Sequence, residues 1–350
     1  MSRRSIALVL MSVFFVAMVA SIIWVNSERP RLLVLHSYDT DYIWTREINT
    51  GLERVLGKQS WINVRYHYMN TKKKANKSHL RRAGISARDA IDKIKPDVVI
   101  AIDDDAQKLA AMKYVNHPDI NIVFAGINGS VKPYGYREAN NVTGILERKP
   151  VAAIREVVQF FTANTPPGTV KNPKKPRVIF LADASHSTER DAEYMATHDW
   201  KPVDYKGVET ANTFDEWKKA VKGMRGKTDF LLVGGYRKLH RTGPDSKFVP
   251  ADEVMSWTEA NSPVVVLGIN VFNTEDGAML SVGVSPYEQG EIASQMALKI
   301  IKEGVSPKAI PIVTSSQYVI SMRRSSLERR KINVPQIFEA FARATNNYYK

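Results

Sequence analysis

Residues 32–44, LLVLHSYDTDYIW, run from a short apolar stretch directly into a cluster of polar and aromatic residues. The same arrangement recurs in VRYHYMNTKK (64–73), DVVIAIDDDAQ (97–107) and NIVFAGINGS (121–130). In an open parallel sheet with crossover helices, the strand ends of one polarity lie along one edge, so polar residues that directly follow the strands converge there. The pattern therefore predicts a ligand-binding cleft at that edge.

Strands and helices alternate regularly from Arg31 onward. Apolar runs of about five residues, separated by amphipathic helices, are typical of buried parallel strands. Each half of the chain carries one block of this pattern, which predicts an α/β fold of two doubly wound parallel-sheet lobes. The strands are predicted at 32–36, 62–68, 97–102, 120–125, 141–146, 177–182, 206–210, 229–235 and 263–268. A further strand at 278–284 precedes a long helix at 286–303, which we expect to pack on the first lobe.

Composition limits the class of protein. With 350 residues, 44% of them hydrophobic, the chain can bury a large core, and its length suggests two domains. The 50 basic and 36 acidic residues give a net charge of +14, but no nucleic-acid motif accompanies the basic runs, so no nucleic-acid partner is predicted. The chain contains no cysteine, which excludes disulfides and a lipid-modified cysteine.

The N-terminus predicts export. Residues 6–25, IALVLMSVFFVAMVASIIWV, carry no charge and follow Arg3 and Arg4, so they are long enough to cross a bilayer with the N-terminus in the cytoplasm. Everything after Asn26 is then periplasmic or extracytoplasmic. The length of the apolar segment favours an uncleaved transmembrane anchor, whereas a cleaved signal segment would give a secreted protein.

Several of these stretches resemble a known family. HSYDTDYIWTREINTGL (36–52), IVFAGING (122–129), NVTGI (141–145) and GAMLSVGVSPYEQGEIASQMALKIIKEGVSPKAIPI (277–312) are similar to the type I periplasmic-binding-protein family. More narrowly, they resemble the ABC-transporter substrate-binding branch, whose domains also occur as extracellular sensors of bacterial histidine kinases. The resemblance implies two lobes that are joined by three crossover segments and close on a small molecule.

The resemblance also implies domain boundaries. We expect the crossovers near 146–149, 270–275 and 314–320. The expected divisions are a membrane anchor or signal segment at 1–30, lobe 1 at 31–147 plus 274–313, lobe 2 at 148–273 plus 314–335, and a C-terminal tail at 336–350.

Residues after the first strand are candidates for ligand contact. His36, Ser37, Tyr38, Tyr42 and Trp44 offer a hydroxyl, an imidazole and aromatic rings, which give a ligand apolar or ring-face contact while their polar ends fix its orientation. The alternative is that these residues have a structural role. In that case Trp44 begins a helix and packs in the core, and a tyrosine covers the strand edge.

Three adjacent aspartates follow the third strand. Asp104 or Asp105 is expected to cap the next helix, which leaves Asp103 or Asp104 free to take a ligand amine or sugar hydroxyls. Adjacent carboxylates without further ligands at loop spacing do not make a calcium or magnesium site, so no metal is predicted. Lys72 and Asn128 follow the second and fourth strands and face the same expected edge.

The second lobe offers Tyr236, Arg237 and Asn270 at corresponding strand ends. Arg237 can meet a carboxylate in a forked pair, and Tyr236 can close over a ring. The alternative is that Arg237 belongs to the solvated basic surface.

The chain has no recognised catalytic motif, so we predict a binding protein that is not an enzyme and needs no cofactor. Two functions remain open. One is a solute-binding protein that delivers a small molecule to an ABC permease, and the other is an accessory that presents its ligand-bound form to a separate membrane sensor. The aromatic cluster favours an amino acid, a nucleoside-like ring or a sugar as ligand.

Overall fold

The computed structural model describes most of the chain after the N-terminal segment. Within the predicted membrane segment 6–25, residues 10–21 form helix α1, and the remainder lies outside the described residues. No helix in the described part of the chain combines the length and the apolar character that a membrane crossing requires. The described residues are 10–21, 29–74, 76–164, 168, 170–243 and 246–350.

Lobe 1 is built on a six-stranded sheet with all strand pairs parallel. All five residues of its β3 strand, VVIAI, are buried, as expected for a strand covered by helices on both faces. The sheet order is β11-β5-β4-β3-β1-β2. The strands are β1 (Arg31–His36), β2 (Asn63–Tyr68), β3 (Val98–Ile102), β4 (Asn121–Ile127), β5 (Val142–Leu146) and β11 (Val313–Thr314).

Helices cover both faces of this sheet. Helices α3 (Lys77–Ile94) and α4 (Asp103–Leu109) pack on one face, and α2 (Ile43–Leu56) and α10 (Pro286–Glu303) pack together on the other. Gly51 lies where α2 crosses α10, and a Cβ atom there would overlap the carbonyl oxygen of Tyr287. The packing of α10 on lobe 1 confirms the placement predicted for the helix at 286–303.

Lobe 2 is built on a seven-stranded sheet of order β13-β12-β10-β9-β8-β6-β7. One pair, β10 with β12, is antiparallel, which the sequence pattern did not predict. Edge strand β7 (Asp204–Ala211) alternates along most of its length between half-buried and exposed residues, as expected where only one face of a strand is covered. The strands are β6 (Arg177–Asp183), β7 (Asp204–Ala211), β8 (Phe230–Val233), β9 (Val265–Gly268), β10 (Leu280–Val284), β12 (Tyr318–Arg323) and β13 (Tyr348–Tyr349).

Seven helices of the described chain surround the second sheet. Short helix α9 follows β9 at the cleft, and α12 packs against β12. The helices are α5 (Val151–Asn164), α6 (His186–Ala196), α7 (Phe214–Lys222), α8 (Ala251–Asn261), α9 (Phe272–Glu275), α11 (Arg324–Arg329) and α12 (Gln336–Ala344).

The chain passes between the lobes at 147–150, at Ser285 and at 315–317. The second crossover was expected at 270–275, and the segment 274–313 was assigned to lobe 1. That expectation is wrong, because β10 pairs with β9 and β12 in the second sheet and only the following helix returns to lobe 1. The expected tail 336–350 is also part of lobe 2, since it contributes α12 and β13.

Candidate functional site

A cavity of about 60 Å³ lies between the two lobes, where the carboxyl ends of their strands face each other. Both lobes contribute apolar, aromatic and charged groups to its wall. Residues of lobe 1 and the first crossover are Tyr38, Tyr42, Ile43, Trp44, Glu47, Lys72, Asp103, Asn128, Glu147 and Lys149. Residues of lobe 2 are Ser187, Thr188, Asp191, Gly235, Asn270, Val271, Phe272 and Val284.

Asp103 is the first residue of α4 and has a positive φ of 66°. This left-handed backbone is uncommon for a residue other than glycine and fixes the direction of the carboxylate. Its Oδ1 atom accepts a hydrogen bond from Trp44 Nε1 at 3.0 Å, whereas Oδ2 is buried without a partner. Burial and the nearby Glu147 carboxylate raise the pKa of Asp103 well above its ordinary value. The site thus holds an acidic group with an unused oxygen.

Lys72 extends from the end of β2 into the same cavity. Its ammonium nitrogen lies 4.8 Å from the ring centroid of Tyr38 and 5.8 Å from that of Tyr42, so the ring faces partly solvate the charge. Within the described residues, no carboxylate forms an ion pair with it. Burial lowers the pKa of Lys72, although Asp183 and Asp103 oppose that effect.

Lys149 organises a second charged group at the first crossover. Its ammonium contacts Glu147 Oε1 at 3.1 Å, Asp191 Oδ2 at 3.3 Å and Asn270 Oδ1 at 2.7 Å. Burial raises the pKa of Asp191 to about 6, although Lys149 acts in the opposite direction. Glu147 and Lys149 lie in the first crossover, whereas Asp191 lies in α6. The ion pairs of Lys149 therefore join the crossover to lobe 2.

Glu47 on α2 lines the cavity from lobe 1. Its Oε1 atom accepts a hydrogen bond from the Tyr287 hydroxyl at 3.0 Å, while Oε2 is buried without a partner. Asn347, from the C-terminal segment of lobe 2, also lies against this carboxyl, and its Oδ1 atom is unpartnered as well. Burial raises the pKa of Glu47 to about 7.

Arg237 sits at the mouth of the cleft rather than on the cavity wall. Its Nη2 atom donates to Asp276 Oδ2 at 2.6 Å, and its guanidinium lies 5.2 Å from the Tyr42 ring and 4.7 Å from the Phe272 ring. Tyr236 is fully buried and donates its hydroxyl to Asp276 at 2.7 Å. Arg237 therefore reaches across the cleft to lobe 1, and Tyr236 supports it from the core.

Seven of the residues predicted from the sequence line one cavity: Tyr38, Tyr42, Trp44, Lys72, Asp103, Asn128 and Asn270. The structure places the others elsewhere. His36 points into lobe 1, where its Nε2 atom lies 2.8 Å from Asn49 Oδ1 and its ring stacks on Tyr68. Burial lowers the pKa of His36 to about 4. Its environment is structural, because Asn49 of α2 and Tyr68 of β2 occupy its polar atom and its ring face within lobe 1.

Ser37 and Asp104 also have structural partners. The Ser37 hydroxyl donates to the carbonyl of Ile102 at 2.7 Å and accepts the backbone N–H of Ala106 at 2.7 Å, so it binds an otherwise free amide of α4. Asp104 accepts the Tyr134 hydroxyl at 2.5 Å. The expected capping by Asp104 or Asp105 is wrong, because α4 begins at Asp103 and has no side-chain cap.

Sequence reasoning missed Glu47, Glu147, Lys149 and Asp191. Glu47 and Asp191 lie within helices, where an acidic residue is normally read as solvent-exposed. Glu147 and Lys149 lie at the crossover, in the stretch ERKP. The signal that could have indicated these two residues is their opposite charge at the point where the chain passes from one sheet to the other.

No protein-family profile matches the chain, and no curated protein is a significant match. Solved structures do match. A conserved domain protein from Vibrio cholerae superimposes with a TM-score of 0.62 at 16% identity, covering 92% of this chain and 100% of its own. The ABC domain of a Streptococcus pneumonia protein in complex with L-Trp gives 0.62 at 16% identity, with 90% and 98% covered.

A third neighbour is the ligand-free, open form of a substrate-binding protein with adhesive properties from Clostridium difficile. It gives a TM-score of 0.58 at 16% identity and covers 87% of this chain and 96% of its own. The fold is therefore that of the type I solute-binding proteins, as the sequence resemblance predicted. One of these neighbours is described as a substrate-binding protein, and another holds L-Trp.

Proposed function

We propose that this chain is an extracytoplasmic solute-binding protein that closes on a small molecule between its lobes and delivers it to an ABC permease. The observation that carries the proposal is the shared cavity, in which Asp103 of lobe 1 presents a buried, unpartnered oxygen opposite residues of lobe 2. Leaving such a group unpaired costs free energy that a bound ligand recovers.

Contacts across the cleft support a closing motion. Arg237 of lobe 2 lies over the Tyr42 ring of lobe 1, and Arg46 of α2 contacts Glu275 of α9 at 3.5 Å. A ligand that touches both lobes binds the closed arrangement more tightly than the open one, and this differential affinity drives closure. The crossovers at 147–150, 285 and 315–317 are the segments that absorb the change.

Small-angle scattering of the purified full-length chain in detergent tests this motion. A ligand found in a thermal-shift screen, which raises apparent stability because it binds only the native state, should reduce the radius of gyration at saturation. An unchanged scattering profile would indicate a rigid domain and contradict the proposal.

Membrane attachment through residues 6–25 remains part of the proposal. The described helix at 10–21 exposes large apolar side chains, among them Leu10 and Phe14, which supports a location in an apolar environment. Protease added to intact spheroplasts should digest the domain that follows Asn26. Protection of the whole domain would place it on the cytoplasmic side and refute export.

An accessory role is the second candidate, in which the closed form is presented to a separate membrane sensor. It is suggested by the sequence resemblance to the substrate-binding branch whose domains also occur as extracellular sensors of histidine kinases. Reading frames for a permease and an ATPase beside the gene would support transport, whereas a kinase or cyclic-nucleotide enzyme there would support signalling.

A further inference from the structure

Two ionisable groups of opposite type, Asp103 and Lys72, line the interlobe cavity without forming an ion pair. Asp103 is only 2% exposed, and its Oδ2 atom has no hydrogen-bond partner. The Lys72 ammonium lies over the faces of Tyr38 and Tyr42, and the Asp183 and Asp103 carboxylates act on it without forming an ion pair. The two groups influence each other's pKa, yet no ion pair joins them within the described residues. Buried charges are normally paired, so this arrangement is incomplete.

The other charged groups on the cavity wall do not form ion pairs with Asp103 or Lys72. Glu147 and Asp191 already share the Lys149 ammonium. Glu47 lies against Tyr287 and is neutral below a pH of about 7. The unmet requirement of the cavity is therefore one cation beside Asp103 and one anion beside Lys72.

We propose that the cavity binds a compact zwitterionic amino acid, with its ammonium group against Asp103 and its carboxylate against Lys72. The inference rests on the proposed solute-binding function and names the ligand class. The ligand ammonium donates to the free Asp103 oxygen, and the ligand carboxylate accepts from the Lys72 ammonium. Both protein charges are then paired by a single molecule.

Other ligand classes leave a charge uncompensated. A neutral sugar can hydrogen-bond to both groups but neutralises neither. A simple amine would leave Lys72 unpaired, and a simple carboxylic acid would leave Asp103 unpaired. Hydrogen bonds to charged partners are stronger than those between neutral groups, so the zwitterion is favoured over each.

The size of the cavity restricts the ligand side chain. Its volume is about 60 Å³, and Ile43, Val271 and Val284 supply the apolar part of the wall. Pockets for drug-sized ligands have volumes of roughly 300–1,000 Å³. In this arrangement of the lobes, the cavity therefore suits a ligand with a small, apolar side chain, as in alanine, better than one with a large aromatic ring.

Calorimetric titration of the full-length chain with a matched set of ligands tests the inference. Alanine is the zwitterion, ethylamine has only the amine, propionate has only the carboxylate, and D-arabinose is the neutral comparison. Alanine should bind, while ethylamine and propionate should bind at least roughly tenfold more weakly, the loss expected for one charge-assisted hydrogen bond. Tryptophan should bind more weakly than alanine.

Variants test which group meets which end of the ligand. Asp103→Asn should weaken alanine binding by roughly tenfold or more while propionate binding improves relative to alanine, because the ammonium partner is lost and a repelling anion is removed. Lys72→Met should reverse this preference and favour ethylamine. A merely structural defect would weaken all ligands together. Lys73→Met is the matched control, since Lys73 is exposed and lies outside the cavity wall.

The outcomes separate this inference from the proposed function. If D-arabinose binds and compacts the protein while alanine does not, the ligand class is wrong and the solute-binding function stands. If tryptophan binds more tightly than alanine, the size restriction is wrong. If no member of a broad solute panel binds or changes the radius of gyration, the proposed function fails too. If Asp103→Asn does not fold, the ligand series and Lys72→Met still decide the matter.

Discussion

Glu47 should make the stability of the protein fall as pH rises. Its ordinary pKa of 4.5, which applies to the unfolded chain, rises to about 7 in the folded chain because the carboxyl is buried. Between these two values the folded state binds more protons than the unfolded state, so stability decreases with increasing pH. The contribution is fully present below 4.5 and is lost as pH passes 7.

The size of the effect follows from the two pKa values. At about 1.36 kcal/mol for each pKa unit, the rise from 4.5 to about 7 corresponds to roughly 3 kcal/mol at alkaline pH. Arg46 and Glu275 lie near this carboxyl, and the Tyr287 hydroxyl bonds to it. Since Arg46 and Glu275 act in opposite directions, burial remains the dominant cause.

The substitution Glu47→Gln isolates this contribution. Glutamine has the shape of the protonated acid, and its amide can accept from Tyr287 while donating to the unpartnered Asn347 Oδ1 atom. In urea unfolding at about pH 8, the variant should be more stable than wild type by roughly 2 to 3 kcal/mol, and the difference should shrink to below about 1 kcal/mol at about pH 5.

Glu53→Gln is the control, because Glu53 lies on the same helix and is exposed. It should leave the free energy of unfolding within about 0.5 kcal/mol of wild type at both pH values. A Glu47→Gln variant that is less stable than wild type at about pH 8 would refute the reasoning, because Glu47 would then be ionised and stabilised in the folded chain. An equal change in the free energy of unfolding at both pH values would also refute it, because the effect would then not depend on the titration of Glu47.

Two further substitutions test the packing and the charged network. Gly51→Ala should destabilise the protein by roughly 1–3 kcal/mol, the usual cost of overpacking, because a methyl group there overlaps the Tyr287 carbonyl; Gly243→Ala, at an open position, should change the melting temperature little. Lys149→Met should cost roughly 3–5 kcal/mol near neutral pH, since it leaves two buried carboxylates without their cation. That loss should diminish in acid as the carboxylates become protonated, and a pH-independent loss would contradict the role of Lys149 as their counterion.

The sequence determined the architecture of the lobes and the edge where the site lies. Its short apolar runs, separated by amphipathic helices, are typical of strands covered on both faces, and polar residues directly after such strands meet at one edge. This reasoning brought Tyr42, Trp44 and Asp103 to one cavity. It also predicted that the helix at 286–303 packs on lobe 1, because its apolar face needs a sheet to cover.

The sequence did not determine which sheet a given strand joins. The apolar run at 278–284 would suit either lobe, and its antiparallel pairing with β12 assigns it to lobe 2. The position of the second crossover follows from that pairing. Strand pairing depends on contacts between residues far apart in the chain, which local periodicity does not contain.

Only the tertiary structure decided which polar groups face the ligand cavity and which of them remain unpaired. Tyr38 and His36 are two residues apart, yet Tyr38 lines the cavity and His36 stacks on Tyr68 within lobe 1. Asp103 and Lys72 follow different strands, and the fold brings them to one cavity without forming an ion pair. The free energy of a buried charge depends on the neighbours that the fold supplies, and those neighbours come from both lobes and from the crossover between them.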